Sequence, residues 1–437
     1  MFPNPQDALP LAAQPTVAAS EAHAHDLARA CASAGPDAIR NWARAWVTGL
    51  AGLRLPEDYR KAAAEVERAV ARVSDFATAT LRPDGVATTC GLDQARHVLA
   101  RAHGFLTWAI FVAHLEDLAR PGSPVAAYEA AAEAIVTGDS GSLARLLAAH
   151  PDLIRTRSTR EHDATLLHYV SANGVEGYRQ RSPANAAAIA RQLLEAGAEV
   201  DAEANVYGGG CTALGLVATS APPRQAGVQI PVIDVLLEHG AHMDHPGSTG
   251  NGSPLIRGCL ANGCPEAAEY LVGRGAPLDL MGAAGTGRID AVRRILDARG
   301  GTADAAERDV REALGYASVY GRTEVVELFL DRGVPVDVEL GIHGAGHTAL
   351  HAASYHGSVE MVRALLRRGA RVDVRDATWG TPPLTWALTG WGDARTSAER
   401  YHAVVAMLVG AGAEVKPEWL ADEAVRADPK MRAALGG

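Results

Sequence analysis

Residues Gly346–Asp376 read GHTALHAASYHGSVEMVRALLRRGARVDVRD, a run of two short helices and a polar turn. Thr348 is placed to cap a first helix whose Ala349, Ala352 and Ala353 let a neighbouring helix come close. Gly357 ends that helix, because a terminal residue with positive φ is cheapest as glycine. Val359, Val362, Leu365 and Leu366 then fall on one face of a second, amphipathic helix that Gly369 stops. Ala370 to Asp376 reads as an extended, polar hairpin. Two helices this short bury little by themselves, so the unit requires stacked copies.

The copies are present. The stop of the second helix recurs as Leu193-Leu194-Glu195-Ala196-Gly197-Ala198, Leu236-Leu237-Glu238-His239-Gly240-Ala241 and Leu271-Val272-Gly273-Arg274-Gly275-Ala276. It returns as Phe329-Leu330-Asp331-Arg332-Gly333-Val334 and Leu408-Val409-Gly410-Ala411-Gly412-Ala413. An acid follows most of these marks: Asp201, Asp244, Asp279, Asp337 and Asp373. First-helix starts recur more loosely at Thr165-Leu166-Leu167-His168, Thr212-Ala213-Leu214 and Ser253-Pro254-Leu255. With Thr348-Ala349-Leu350-His351-Ala352-Ala353, the pattern resembles the ankyrin repeat, and the stretch GLDQARHVLARAHGFLTWAIFVAHLEDL resembles a segment that precedes the repeats in bacterial ankyrin-repeat proteins. The resemblance implies an all-α ankyrin-repeat α-solenoid, helix pairs joined by short β-hairpin turns, preceded by a small helical capping domain with Phe105, Trp108 and Phe111 in its core. His168 and His351 are then expected to hydrogen-bond backbone and link adjacent repeats.

Departures from the period carry information. Gly275 to Gly300 is too short for a full repeat, so a hairpin is expected to be missing around Met281 to Gly285. Three copies carry insertions, Val175 to Asn185, Ala221 to Pro231 and Trp391 to Glu399, which read as surface loops. Residues 1–18 are proline-rich and expected to be disordered or extended, and residues 19–120 to form the helical domain. There Glu21–Ser33, Asp37–Gly49, Glu57–Leu81, Leu92–Ala102 and Thr107–Leu118 read as helices, with Pro36 in a first turn and Pro83-Asp84-Gly85 as a break. Residues 125–437 would hold about seven to eight repeats, closed by a charged capping helix from Trp419 to Leu435.

Composition bounds the partners. A net charge of −10 argues against a nucleic-acid partner and against docking on an anionic membrane. No run reaches transmembrane length, and the first residues lack the basic start and apolar core of a secretory signal. Five scattered cysteines fit a reducing compartment better than a disulfide framework, which places the chain in the cytoplasm.

No cofactor is assigned. Gly341 to Thr348 imitates a phosphate loop with histidine in place of lysine, and Gly282 to Gly287 imitates a dinucleotide loop. Neither has the strand or βαβ setting such loops need. His239, His242 and His245 with Asp244 form the densest metal-like cluster, but a helix end and a hairpin do not bring them to one point. Cys259 and Cys264 read as small buried hydrophobes. The resemblance implies partner binding on hairpin tips and exposed first-helix faces. Aligned by repeat, those positions are Glu161, His162, Asn173, Ser220, Tyr320, His347, Tyr355, His356 and Trp379, with Trp391 just beyond. Packing of these rings against the insertions is the competing account. Two functions follow: recognition of a protein partner, or metal-free acid–base chemistry on a small molecule by His347, Tyr355 and His356.

Overall fold

The computed structural model describes the chain except residues 1–3, 34, 36, 52–58, 83–89, 251, 301–302, 305 and 343–345, and the side chains of 59–62. The expectations for Pro36, for Pro83-Asp84-Gly85 and for His343 to Ala345 therefore lie outside the described residues. The chain forms two compact units, residues 1–258 and 259–437. It is an all-helical repeat fold, and among the described residues no β-strand forms. The expected hairpins shrink to isolated antiparallel bridges, Arg157 with Thr165 and Ala204 with Cys211.

In the first unit, α1 (Val17–Ala32), α2 (Ala38–Ala51), α3 (Tyr59–Leu81) and α4 (Leu92–Ala102) pack together, and α5 (Trp108–Leu118) joins α4. Leu27, Trp42, Trp46, Val70, Val73 and Leu99 share their core, while Phe105, Phe111 and Leu115 form a second cluster beneath α5, with Trp108 packed against both. Thr16 and Thr107 cap α1 and α5 by accepting backbone N–H groups three residues on. Cys31, at the end of α1, is disulfide-bonded to Cys90 just before α4, against the expectation that the cysteines suit a reducing compartment. The remaining three cysteines are buried thiols.

Helix pairs follow. α6 (Pro124–Thr137) pairs with α7 (Ser140–Ala149), and the 3₁₀ turn Leu166–Ser171 pairs with α8 (Ala186–Glu195). After α9 (Ala213–Ala218) and the short α10 (Ala221–Gln225), α11 (Gln229–Glu238) packs back on α9. First members stack in the order α6, 166–171, α9. On α9, Gly215 lies against the Ser248 carbonyl so closely that no side chain fits. The 175–185 insertion is not the surface loop expected, since Val175, Glu176 and Arg179 are buried. Nor are the first residues loose: Ala8 and Leu9 are buried, and Leu9 N–H donates to the Ala102 carbonyl.

α12 (Leu255–Ala261) leads into the second unit, where α13 (Pro265–Gly273) is followed directly by α14 (Leu280–Gly285), capped by Asp279. Residues Met281 to Gly285, around which a hairpin was expected to be missing, lie in α14, and the shortened connection is residues 274–279 just before it. α14 pairs with α15 (Ile289–Ala298), α16 (Arg308–Val319) with α17 (Thr323–Asp331), α18 (Ala349–Tyr355) with α19 (Val359–Arg367), and α20 (Pro383–Gly392) with α21 (Ala398–Gly410). First helices stack as α14, α16, α18, α20 and second helices as α15, α17, α19, α21. The expected capping helix is three short ones, α22 (Pro417–Ala421), α23 (Glu423–Ala427) and α24 (Pro429–Ala434), because Asp422 and Asp428 each start a new helix.

The repeat histidines act as links. Thr348 N–H donates to His351 Nδ1 at 3.2 Å, which leaves Nε2–H to donate to the Thr381 carbonyl of the next turn at 3.1 Å. His168 repeats the device with Thr165 and the Cys211 carbonyl. The turn acids do likewise: Asp201 accepts the His242 N–H and Asp337 the Arg371 N–H.

Candidate functional site

The second unit carries a chain of rings at the turn end of α18 and α20. The imidazole of His347 stacks on Trp386 at 5.0 Å, and the Trp379 and Tyr355 rings meet Trp386 edge-on at 5.6 and 6.0 Å. His356 lies 5.1 Å from Tyr355. Asp376 fixes the turn beneath them. Its carboxylate accepts the N–H groups of Thr378, Trp379 and Thr381, the Thr381 hydroxyl and the Trp386 indole N–H. Burial opposes its ionisation, yet these donors hold the carboxyl well below the usual carboxylate range. The result is a rigid platform from which Trp379 projects, 66% exposed.

Tyr355 is tied down from the other side. Its hydroxyl donates to Asp393 at 2.8 Å and accepts from Arg395, whose guanidinium also sits over the ring at 4.9 Å. Burial and the Asp393 bond raise its pKa further from neutrality. His347 is buried, and the Trp386 indole touches both it and Tyr355. That geometry gives the acid–base reading of His347, Tyr355 and His356 no shared reacting point. Tyr320 is half-buried with its hydroxyl donating to the Leu260 carbonyl, and Trp391 is half-buried near the end of α20.

In the first unit the named positions are mostly taken up by packing. Asn173 bonds the Leu216 carbonyl and the Tyr207 hydroxyl, and Ser220 is buried with its hydroxyl on the Ala172 carbonyl. Glu161 pairs with Arg101 at 2.8 Å. The placement of His162, Ser220 and His347 on an open surface is thus corrected: they are 2%, 2% and 3% exposed. Regular alignment to the repeat assigned them outward, but Glu176 of the insertion lies beside His162, the Ala172 backbone holds Ser220, and Trp386 stacks on His347.

His162 belongs to a buried ionic cluster that the period gave no reason to expect. Arg160 reaches Glu129 at 2.5 Å and Glu176 at 3.0 Å, and Arg179 reaches the same carboxylates at 2.8 and 3.5 Å. His162 Nδ1 accepts the Ala164 N–H, so Nε2–H faces Glu176 at 3.6 Å. Phe105 lies under the Arg160 guanidinium, and Tyr169 and Tyr178 flank Arg179. Burial opposes the charge on Glu129, but Arg160 and Arg179 bring its pKa down to about 2. Burial pushes the Tyr178 hydroxyl up to about 12. Two cations balance two anions, so the cluster ties elements together and leaves no net charge for a ligand. Its one signal in the sequence is a pair of charged residues, Glu176 and Arg179, inside an insertion.

His242 pairs with Asp201 and His245 with Glu203, each across a turn. Among the described residues no three His, Cys, Asp or Glu side chains gather to hold a metal ion. Among them, too, no helix is long and apolar enough to cross a membrane.

Residues 280–376, which span α14 to the Asp376 turn, match the family described as ankyrin repeats, in three copies. The chain is also similar to the human ASB11 ankyrin repeat domain, at 22% identity and a TM-score of 0.34, over 65% of this chain and 99% of that one. No curated protein matches the chain. Ankyrin repeats are in general modules for protein interaction, which turns attention to the surface they expose.

Proposed function

We propose that the ankyrin-like repeats within residues 259–437 bind a protein partner through Trp379, Tyr355, His356 and Trp391. The observation that carries this reading is Trp379: a large indole held out in solvent on a turn pinned by five hydrogen bonds to Asp376. Rigid, exposed tryptophan gives up apolar area at little entropic loss, the property of an interface anchor. A net charge of −10 keeps nucleic acid and anionic membranes off the list of partners. No observation favours the small-molecule enzyme.

The test is quantitative co-purification with the intact chain, Trp379→Ala, and Arg363→Ala on the exposed side of α19 as control. A protein enriched by the intact chain and by Arg363→Ala should fall at least tenfold with Trp379→Ala. An unchanged set of partners, with the fold intact by circular dichroism, overturns the reading.

A further inference from the structure

The geometry points to a second recognition site, a peptide groove in residues 1–258 that the chain's own arm, Asn4–Leu11, fills and that accepts an extended, proline-flanked segment of a partner when the arm leaves. The arm is NPQDALPL, a 3₁₀ turn at Pro5–Asp7 followed by extended residues. Pro5 and Pro10 fix φ and remove N–H donors, so the arm offers few backbone hydrogens to a sheet or helix. Each residue between them meets a group already in place. Gln6 and Asn173 both lie 2.7 Å from the Tyr207 hydroxyl, and a Cβ at Gly177 would strike the Gln6 carbonyl. Asp7 faces Arg72 at 3.2 Å. Ala8 rests against Gly104, whose φ of +85° keeps that position open to a close approach. Leu9 N–H donates to Ala102 at 2.7 Å, and His103 Nδ1–H donates to the Leu9 carbonyl at 3.1 Å.

These partners belong to α3, α4, the turn after α4, the 175–185 insertion and a repeat tip. They are positioned by their own elements rather than by the arm. Tyr207 is held at φ +52°, a conformation uncommon for a tyrosine, which aims its hydroxyl at the groove. The arm itself shares no helix or sheet with the rest of the chain, and its attachment rests on the Leu9 bonds, the Tyr207 hydroxyl on Gln6, two buried side chains and one ion pair. A partner segment with an amide, an acid and an Ala-Leu-like pair between prolines satisfies the same groups. The site needs an adaptable acceptor and donor set, which is what peptide recognition by extended segments uses.

The probe is a fluorescent peptide of the sequence Asn4–Ala13, titrated against the full chain and a chain lacking residues 1–11. The shortened chain should bind it, and the full chain at least tenfold more weakly because its own arm competes. Gly177→Val in the shortened chain should abolish binding. Failure of the folded shortened chain to bind, or equal binding by both, overturns the inference. Hydrogen exchange on the intact chain decides the matter if the shortened chain does not fold. Peptides covering residues 4–11 should exchange at least a hundredfold faster than those of α4, and exchange of both together would show an inseparable core element.

Discussion

Replacing Glu176 by Gln tests whether the buried ionic cluster organises the first unit. The carboxylate is fully buried and faces Arg160 at 3.0 Å, Arg179 at 3.5 Å and His162 at 3.6 Å. With an effective dielectric of about 20, each guanidinium attraction is worth roughly 5 kcal/mol. Desolvation of the carboxylate and relief of repulsion from Glu129 offset most of that sum. What remains is the cost of leaving two buried guanidinium groups with one carboxylate, about 3–5 kcal/mol. Glu133→Gln is the control, because that side chain is 41% exposed and sits 3.5 Å from Arg179. Its loss should cost less than about 1 kcal/mol. Urea unfolding read by pulsed hydrogen exchange over residues 124–195 separates this unit from the other. If Glu176→Gln lowers its stability no more than Glu133→Gln does, the cluster is not the clasp described.

Burial holds His103, His114 and His168 neutral, with pKa values near 4. Each takes up a proton more readily when unfolded, so stability is complete above pH 6.5 and lost as pH falls from 6.5 toward 4, by up to about 4 kcal/mol per unit near pH 5. Thermal melting between pH 7.5 and 4.5 should show that steep fall, and a flat profile would refute it. Gly215→Ala drives a methyl into the Ser248 carbonyl and should cost about 1–3 kcal/mol, whereas Gly49→Ala, in open space on α2, should gain about 0.5–1 kcal/mol, as urea midpoints would show. Closing a loop of 59 residues, the Cys31–Cys90 bond should contribute about 2–4 kcal/mol. Cys31→Ser should match the intact chain under reductant, and alkylation with mass measurement should count three free thiols.

The repeat was legible because its unit is local. A cap at Thr348, a stop at Gly357, an apolar stripe and a second stop at Gly369 are all set by neighbours within a turn or two of helix. The same holds for His168 and His351, whose linking role is built from a fixed offset to Thr165 and Thr348. α4 and α5 were bounded correctly for the same reason. Candidate contact residues fared less evenly. Trp379 and Tyr355 meet at Trp386, but neither that indole nor Asp376, which hold them, was singled out from the sequence.

Local pattern therefore established the helical pairs, their stops and their stacking habit, since each depends on residues three or four apart. Which outward-facing positions are truly open was decided by contacts between segments far apart in the chain. Arg160 with Glu176, Trp386 over His347, and the arm at Leu9 on Ala102 bring together groups whose separation in sequence carries no period. Burial is a property of everything packed around a residue, and so His162, Ser220 and His347 could be judged only once their neighbours were in place.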